Sequence, residues 1–230
     1  MLKPKLSIVI SVFQSYEIVR RQLLHLNRLK LPIEIIIVDD GSTPPIPGAI
    51  LQTNNKLAWT QGLGRNLGAS KAQGKYLLMT DIDHILSKEA IEDCLKFEGN
   101  KMIFRRQIAI LDEDGIVKQD RITLKDWGYE SDKLDASVHG NTFCIKKSIF
   151  EELGGYTPET CQVGYHPISR KGDDCYFNTK WNKRYNREDL IVGRDIYMFP
   201  IGRFRIDGNL NPKGLFHNLS QTNQNKFYKE

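Results

Sequence analysis

The sequence lacks any apolar run close to the roughly 18–20 residues that a membrane-spanning helix requires. Its first residues, Met1 to Lys5, lead directly into a strand-like segment, with no apolar stretch and cleavage site typical of a signal peptide. These two absences predict a protein without a transmembrane segment that is located in the cytoplasm.

Cysteine is scarce and dispersed. The four cysteines are Cys94, Cys144, Cys161 and Cys175; they form no C-x-x-C pair, and no histidine lies at zinc-finger spacing from them. This pattern argues against a zinc finger and predicts free thiols in a reducing compartment, with a Cys161–Cys175 disulfide as the alternative.

A strong charge imbalance is also missing. Lysine and arginine number 33 against 28 for aspartate and glutamate, so the formal net charge is +5. Without a dense basic stripe or a recognisable motif, the chain does not resemble a dedicated nucleic-acid-binding module. The modest positive charge suits an anionic small molecule, an acidic membrane surface or nucleic acid, and does not choose among them.

The first forty residues have the pattern of a β-α-β unit. Leu6 to Val12 and Ile33 to Val38 are short, β-branched apolar runs typical of buried strands. Between them, apolar residues repeat at helical spacing from Val19 to Leu29, with Ser15 as the predicted helix cap. This β-α-β pattern predicts a parallel sheet with a right-handed crossover. The chain contains no internal repeats, and we predict one α/β domain over 1–230, with a mostly parallel sheet flanked by helices.

The remaining pattern is less regular, and its predicted elements are these: a short strand over 49–53, a helix over 64–72, a buried strand over 76–80, a helix from Ser87 to Phe97, a strand over 101–111, a strand over 141–145, a helix over 147–153, a helix over 175–185, a strand over 190–198 and a glycine-rich mobile loop over 202–214.

Two acidic clusters directly follow predicted strands: Asp39-Asp40 and Asp81-Ile82-Asp83. Ligands of open parallel α/β sheets bind outside the carboxyl ends of the strands, where such clusters can meet over one crevice. In extended geometry Asp81 and Asp83 share a face, Ile82 points into the core, and His84 points away from Asp83. Two hard oxygen ligands at this spacing can hold a divalent cation that also binds a diphosphate.

A second triplet of the same form, Asp112-Glu113-Asp114, precedes Gly115. That context is typical of a hairpin turn, so we interpret this triplet as structural.

The ordered set of motifs resembles glycosyltransferase family 2, whose fold is called GT-A. Ile35 to Ser42 resembles the family's V-D-D-G-S-T block, and Gly64 to Tyr76 resembles the segment with R-N-x-G and A-x-G that precedes its metal motif. Asp81-Ile82-Asp83 falls at the place of that metal motif. Gly154-Gly155-Tyr156 resembles a G-G-[FY] motif on the acceptor side, and Gly172-Asp173-Asp174 resembles a G-E-D block that supplies a catalytic carboxylate.

The resemblance implies an inverting glycosyltransferase that uses a nucleoside-diphosphate sugar, with UDP favoured by family habit, and Mn2+ or Mg2+. Asp174 is then the general base, and Asp173 orients the acceptor or a neighbouring backbone group; the alternative makes the pair a helix cap. The implied metal ligands are Asp81 and Asp83, with a late histidine, His217, completing the site as a loop over 202–216 closes. The residues predicted to bind the donor are Val12, Phe13, Asp39, Asp40, Arg65, Asp81 and Ile82.

Some of these assignments carry alternatives. Either Asp39 or Asp40 would bind the base or ribose, and Arg65 is either a diphosphate ligand or a surface arginine. Trp127, Trp181 and Tyr156 would stack on an acceptor or belong to the core.

The chain departs from the family pattern at Val12-Phe13-Gln14 and at Asp173, where glutamate is usual. Residues 115–170 match it only at the G-G-Y motif, so donor binding is assigned to 1–100 and the acceptor side to 101–230. The acceptor stays open: a glycan, a protein or modified DNA. A nucleotidyltransferase of similar fold is a further alternative, although the loop after the first strand lacks the glycine and basic residues typical of that class.

Overall fold

The computed structural model describes residues 4–13, 15–53, 61–127, 129, 131–136, 138, 140–158, 173–186 and 189–199. Its helices and strands, in chain order, are β1 (Leu6–Val12), α1 (Tyr16–Arg28), β2 (Ile33–Asp39), β3 (Leu51–Gln52), α2 (Gln61–Lys71), β4 (Tyr76–Thr80), β5 (His84–Ile85), α3 (Lys88–Lys96), β6 (Lys101–Ile103), β7 (Arg106–Ile108), β8 (Ile110–Leu111), β9 (Val117–Lys118), α4 (Arg121–Asp126), β10 (Asp135–Ala136), β11 (Phe143–Lys146), α5 (Lys147–Glu152), α6 (Asp173–Arg184), β12 (Leu190–Val192) and β13 (Ile196–Met198).

The main sheet has seven strands in the order β12-β6-β11-β4-β1-β2-β3. The pairs β1–β2, β1–β4, β2–β3 and β6–β12 are parallel, and β11 is antiparallel to both β4 and β6. The predicted class, a mostly parallel α/β sheet flanked by helices, is confirmed. Strands from 1–100 and 101–230 share this one sheet, whereas the division of function between the two halves stays a prediction.

Alternation along β1 divides the core into the two faces of the sheet. Leu6, Ile8 and Ile10 pack with α1, whereas Val9 packs with β2 and α2. Every residue of β1 is buried because helices cover both faces, which explains its continuous apolar sequence.

Helix α2 approaches the sheet closely because it has glycines where it crosses β1. A Cβ at Gly68 would lie 2.5 Å from Val9 Cγ1, and one at Gly64 would overlap the Ser11 hydroxyl. The close approach buries Arg65, which lies between these glycines, at the edge of the sheet.

Two segments predicted as single strands are divided between sheets. The segment 101–111 forms β6, β7 and β8, which belong to three different sheets. The segment 190–198 forms β12 in the main sheet and β13 in a smaller sheet of order β10-β7-β13-β5. Gly193 separates them; its N–H donates to Ile103 O at 2.9 Å, and a Cβ there would lie 2.6 Å from Met102 Sδ. Apolar periodicity is the same on both sides of such a bend, so the pattern does not reveal it.

The predicted caps differ in outcome. Ser87 caps α3 by accepting the Ala90 N–H at 3.0 Å. The cap prediction for Ser15 is wrong, since its hydroxyl donates backward to Phe13 O at 2.8 Å and makes no cap bond. The local chain therefore uses Ser15 to shape the loop after β1.

The predicted free thiols are confirmed for Cys94, Cys144 and Cys175, while Cys161 lies outside the described residues.

Among the residues that the structure describes, no helix has both the length and the apolar character needed to cross a bilayer.

Candidate active site

The predicted donor-side residues meet at the carboxyl edge of the main sheet. Val12 pairs with Asp39 in the register of β1 and β2, and Asp40 N–H donates to Val12 O at 2.7 Å. Strand β4 ends beside β1, where Ile10 pairs with Thr80, so Asp81 emerges at the same edge. Parallel pairing thereby brings together residues that are about seventy positions apart in sequence, as the motif placement predicted.

The two adjacent carboxylates Asp39 and Asp40 have different surroundings. Both are buried, but Asp39 accepts the N–H groups of Ser42 and Ile46, one on each oxygen, both at 2.9 Å. Asp40 accepts the Thr53 hydroxyl on Oδ1 at 2.7 Å. Asp39 therefore shapes the loop after β2, and Asp40 is the better candidate to bind a base or ribose. Donor binding by either residue stays a prediction.

Ile82 and Phe13 differ in how far their side chains are exposed. Ile82 is 8% exposed, its side chain belongs to the core, and its carbonyl accepts from Gln22 Nε2 at 2.9 Å. Phe13 is partly exposed at the end of β1, where a ring could contact a ligand. The predicted donor contacts of Val12, Phe13 and Ile82 are untested.

Asp81, Asp83 and His84 form a candidate metal site. One ligand atom from each residue lies within 4.8 Å of the others. The expectation that His84 points away from Asp83 is wrong, because residues 82 and 83 form a turn in which His84 N–H donates to Asp81 O at 3.1 Å. An extended chain would have separated the two side chains, whereas the turn brings them to the same side.

The partners of His84 define its tautomer. Arg106 Nη1 lies 3.2 Å from Nε2, and a guanidinium only donates, so Nε2 accepts. Nδ1 then carries the proton and donates to Thr142 Oγ1 at 2.5 Å. The Thr142 hydroxyl lies 3.0 Å from that of Thr80, which donates to Asp81 O at 3.3 Å. Because both ring nitrogens have protein partners, Asp81 and Asp83 are the best supported ligands.

Arg65 is the buried partner of this site. Its guanidinium is 1% exposed; Nη2 donates to Asp81 Oδ1 at 2.6 Å and Nη1 to the Tyr156 hydroxyl at 2.9 Å. Gln61 also donates to Asp81 Oδ1. Burial opposes the charge of Arg65, but Tyr156, Asp81 and Asp173 raise its pKa, so it stays a cation. The surface-arginine alternative is excluded, and the diphosphate contact stays a prediction.

Asn66 joins the R-N-x-G block to the G-G-Y motif. Its Nδ2 donates to Tyr156 O at 2.8 Å, and Tyr156 N–H donates to Asn66 Oδ1 at 2.9 Å. Gly155, at φ +56°, has no room for a side chain because a Cβ would lie 2.5 Å from Asn66 Oδ1. Two motifs that the sequence shows as separate are therefore one contact, and this pairing was missed by sequence reasoning.

The candidate acceptor-side carboxylates begin α6. Asp173 Oδ1 accepts the Asp174 N–H at 2.8 Å. Burial raises the pKa of Asp173; the charge of Arg65 opposes this shift, and those of Asp174 and Asp81 add to it. The charge of Asp81 at the end of β4 thus acts on the start of α6. Lys180 on the same helix donates to Gly155 O at 2.8 Å, which ties α6 to the G-G-Y turn.

Two of the three aromatic candidates belong to the core. Tyr156 and Trp181 are buried, and Trp127 packs edge-on against Phe199 at 5.3 Å between centroids. His217, Gly172 and the predicted lid over 202–216 lie outside the described residues.

Other residues of the site had weak signals in the sequence. Gln61, Thr142 and Arg106 belong to no recognised motif, and only their positions in the fold bring them to the acidic triplet.

Solved structures show which class of fold this is. TarS 1–349 from S. aureus, in complex with UDP-GlcNAc, superposes with a TM-score of 0.58 at 16% identity, over 85% of this chain and 58% of that one. The mannosyltransferase PcManGT from Pyrobaculum calidifontis, in complex with GDP-Man and Mn2+, gives 0.52 at 15% identity, over 86% and 57%. The chain has the GT-A fold of such glycosyltransferases.

Sequence similarity to known proteins is concentrated in the first part of the chain. Residues 7–101 match the family model described as Glycosyl transferase family 2. An uncharacterised glycosyltransferase of Rickettsia conorii is 33% identical over 113 residues, covering 44% of this chain and 18% of the relative. One of Haemophilus influenzae is 33% identical over 105 residues, covering 41% and 42%. The predicted resemblance to glycosyltransferase family 2 is thus confirmed over residues 7–101, and the chain spans less than half the length of these relatives.

Proposed function

We propose that this chain transfers a sugar from a nucleoside-diphosphate donor to an acceptor hydroxyl, with inversion at the anomeric carbon. In this proposal Asp81 and Asp83 hold a divalent cation, Mn2+ or Mg2+, and Asp174 is the general base. The family match and the name glycosyltransferase on both relatives favour glycosyl over nucleotidyl transfer.

One observation carries the proposal: a continuous set of contacts joins the acidic triplet to the carboxylate pair. Asp81 binds Arg65, Arg65 binds Tyr156, and Asn66 holds the backbone of Tyr156. Lys180 of α6 then binds the adjacent Gly155. A transferase needs its donor and its base held at a constant separation, because reaction depends on close and aligned approach of the reacting atoms.

The donor set of the candidate metal site fits a hard divalent cation. Two carboxylates lie within 4.8 Å of each other and of an imidazole, and carboxylate oxygens are the ligands that Mg2+ and Mn2+ prefer. When bound there, the cation supplies positive charge that neutralises the departing diphosphate. Arg65 orients Asp81, since it donates to Oδ1 from a buried position.

For the nucleotide we propose contacts at the carboxyl ends of β1 and β2. Asp40 is the acceptor offered to the base or ribose, and Phe13 borders the same edge. UDP-GlcNAc in the TarS complex and GDP-Man in the PcManGT complex are both nucleoside-diphosphate sugars. We take UDP-sugars as the first donors to test.

For the chemical step, Asp174 removes the proton from the acceptor hydroxyl as its oxygen attacks the anomeric carbon. Asp173 is the less suitable base of the pair, because its Oδ1 accepts the Asp174 N–H and the surrounding burial favours its protonated form. Direct attack from the face opposite the leaving diphosphate inverts the anomeric centre.

The decisive experiment is a thermal-shift panel of UDP- and GDP-sugars with and without Mn2+. We expect Tm to rise only when a matching donor and Mn2+ are present together, because the complete ligand set binds the folded state alone. Asp83→Asn should abolish this rise. Asp114→Asn, in the second acidic triplet, is the matched control and should retain it.

The same rise in excess chelator would contradict the metal assignment, and a failure of every donor would contradict the proposed function. The cytoplasmic location and the acceptor class stay predictions.

A further inference from the structure

Gln22 is a buried amide on α1 that binds the backbone of the first acidic triplet. It is 1% exposed, and its Nε2 donates to Ile82 O at 2.9 Å and to His84 O at 3.1 Å. A primary amide has two N–H donors on one nitrogen, so this single group can serve both carbonyls. The two acceptors lie on either side of Asp83 in the chain, and the proposed chemistry gives Gln22 no role.

The first of these carbonyls belongs to the central peptide of a β-turn. Asp81 O accepts the His84 N–H at 3.1 Å, which closes the turn. Ile82 and Asp83 are its central residues, and the peptide between them is the one whose flip interconverts turn types I and II. Type II requires a positive φ at the third residue, and no aspartate of the described chain has one. Gln22 therefore donates to the carbonyl whose direction a peptide flip would reverse.

The contact with α1 continues beyond the turn. His25, one turn after Gln22, has its Nε2 at 2.8 Å from Leu86 O. The carbonyls of His84 and Leu86 are two residues apart, as are the acceptors along one edge of a strand. β5 is the last strand in the order of the smaller sheet, so side chains of α1 serve the edge on which that sheet has no strand.

The other edge of β5 is held by β13. Met198 is opposite His84 in the antiparallel register, and Phe199 N–H donates to Asp83 O at 2.8 Å. The peptide groups before and after Asp83 are therefore each fixed by another element, α1 on one side and β13 on the other. The direction of the Asp83 side chain then depends only on its rotamer.

Packing does not account for a glutamine at this position. Gln22 shares α1 with the buried apolar residues Ile18, Val19 and Leu26. An apolar side chain at position 22 would avoid the cost of removing an amide from water, but it would leave two backbone carbonyls without their donor. The specific property that glutamine supplies here is therefore its pair of N–H groups, and both are directed to the turn.

We propose that Gln22 is a positioning residue for the candidate metal site: it holds the peptide between Ile82 and Asp83 in one orientation, and so keeps the Asp83 carboxylate beside that of Asp81. This inference rests on the proposed function, because the cation that the two carboxylates would bind is the one assigned there. Residues that orient metal ligands in this indirect way commonly contribute about 10–100-fold to metal affinity.

The first test needs no metal. Hydrogen exchange of the His84 N–H, which closes the turn, is measured by NMR relative to the N–H groups of β1, which report opening of the whole fold. We expect this ratio of rates to rise roughly tenfold in Gln22→Met, because the side chain keeps its length and loses both donors. A ratio equal to that of the wild type would overturn the proposal.

The second test measures the Kd for Mn2+ in the presence of UDP, from the EPR signal of the free ion. We expect the Kd to rise about 10–100-fold in Gln22→Met, the range found when an orienting partner of a metal ligand is lost. Gln22→Glu keeps the shape of the side chain without its amide N–H groups and should show the same loss, so the result does not depend on the folding of one variant.

Two controls separate positioning from general stability. Gln119→Met removes an amide that also donates to a backbone carbonyl, Ile108 O at 3.1 Å, and that contacts no residue of the triplet in the described structure. Leu26→Ala removes a buried apolar side chain from α1 itself and destabilises the fold through a cavity. Both variants should keep the wild-type Kd for Mn2+.

Wild-type affinity in Gln22→Met would overturn the proposal. An equal loss in Leu26→Ala would also overturn it, because the effect would then come from a loosened helix. If the wild type bound no Mn2+ with UDP present, the metal assignment of the proposed function would be contradicted, and the exchange ratio would still decide whether Gln22 holds the turn.

Discussion

The two acidic triplets have the same spacing and opposite surroundings. Asp81-Ile82-Asp83 follows the buried strand β4, and its first carboxylate binds Arg65, sixteen residues earlier in the chain. Asp112-Glu113-Asp114 closes the hairpin of β8 and β9. There Asp112 Oδ1 accepts the N–H groups of Asp114 and Ile116 at 3.0 and 2.8 Å.

The difference between the triplets lies in where their partners come from. In the second triplet the Asp112 carboxylate accepts backbone N–H groups of its own loop, so it stabilises a turn. The first triplet depends on α2, which the crossover brings to the carboxyl edge of the sheet. The first triplet therefore lies outside the carboxyl ends of the strands, where ligands of open parallel α/β sheets bind.

The largest expected effect separates the triplets by activity. Asp83→Asn should lower sugar transfer by roughly a thousandfold, because the charge stabilisation that a metal provides amounts to several kcal/mol. Asp114→Asn should change it less than about twofold, since exposed substitutions away from functional features are usually close to neutral. Initial rates at saturating donor and Mn2+ measure both. Equal rates for the two variants would remove the functional distinction between the triplets.

Arg65→Met tests how much the contacts of Arg65 with Asp81 and Tyr156 stabilise the fold. The substitution leaves Asp81 and the Tyr156 hydroxyl without their buried donor, and we expect a loss of about 3 kcal/mol in the free energy of unfolding. Urea denaturation measures this loss. Arg20→Met is the control, because Arg20 pairs with Glu17 on the exposed face of α1 and should leave the midpoint unchanged. A stable Arg65→Met variant would show that Asp81 finds other partners.

Asp174→Asn extends the comparison to the carboxylate pair of α6. Asparagine keeps an oxygen able to cap the helix, so a capping role predicts almost no loss, whereas a base predicts a loss of roughly a hundredfold in transfer. Donor binding, measured by the thermal shift, should stay near normal. If Asp173→Asn is inactive and Asp174→Asn retains the wild-type rate, the base is Asp173 and the assignment to Asp174 is wrong.

The smallest effect concerns the hairpin triplet alone. Asp112→Ala removes the acceptor for two backbone N–H groups, and we expect a loss of about 1 kcal/mol in stability with transfer unchanged. Paired denaturation and rate measurements test this expectation. A loss of transfer without loss of stability would mean that the turn has a role beyond structure.

Much of the donor side could be predicted from sequence because its signals are local. A buried strand, an acidic cluster at its end and a glycine-bearing helix are each visible within about ten residues, and parallel pairing gives them a common edge. The predicted strand boundaries were wrong at 101–111 and 190–198, because apolar periodicity continues where the chain passes from one sheet to another. The predicted direction of the His84 side chain was also wrong, because the chain turns at 82–83 where an extended segment was expected.

The sequence by itself determined the α/β class, the resemblance to glycosyltransferase family 2 and the acidic triplet, since each depends on periodicity or on short motifs. Only the tertiary structure decided that Arg65 is buried against Asp81, that Asn66 joins Tyr156, and that Gln22 donates to the turn of the acidic triplet. These contacts join residues between 16 and 90 positions apart. No local pattern specifies such pairs, because the packing of the helices against the sheet determines which side chains meet.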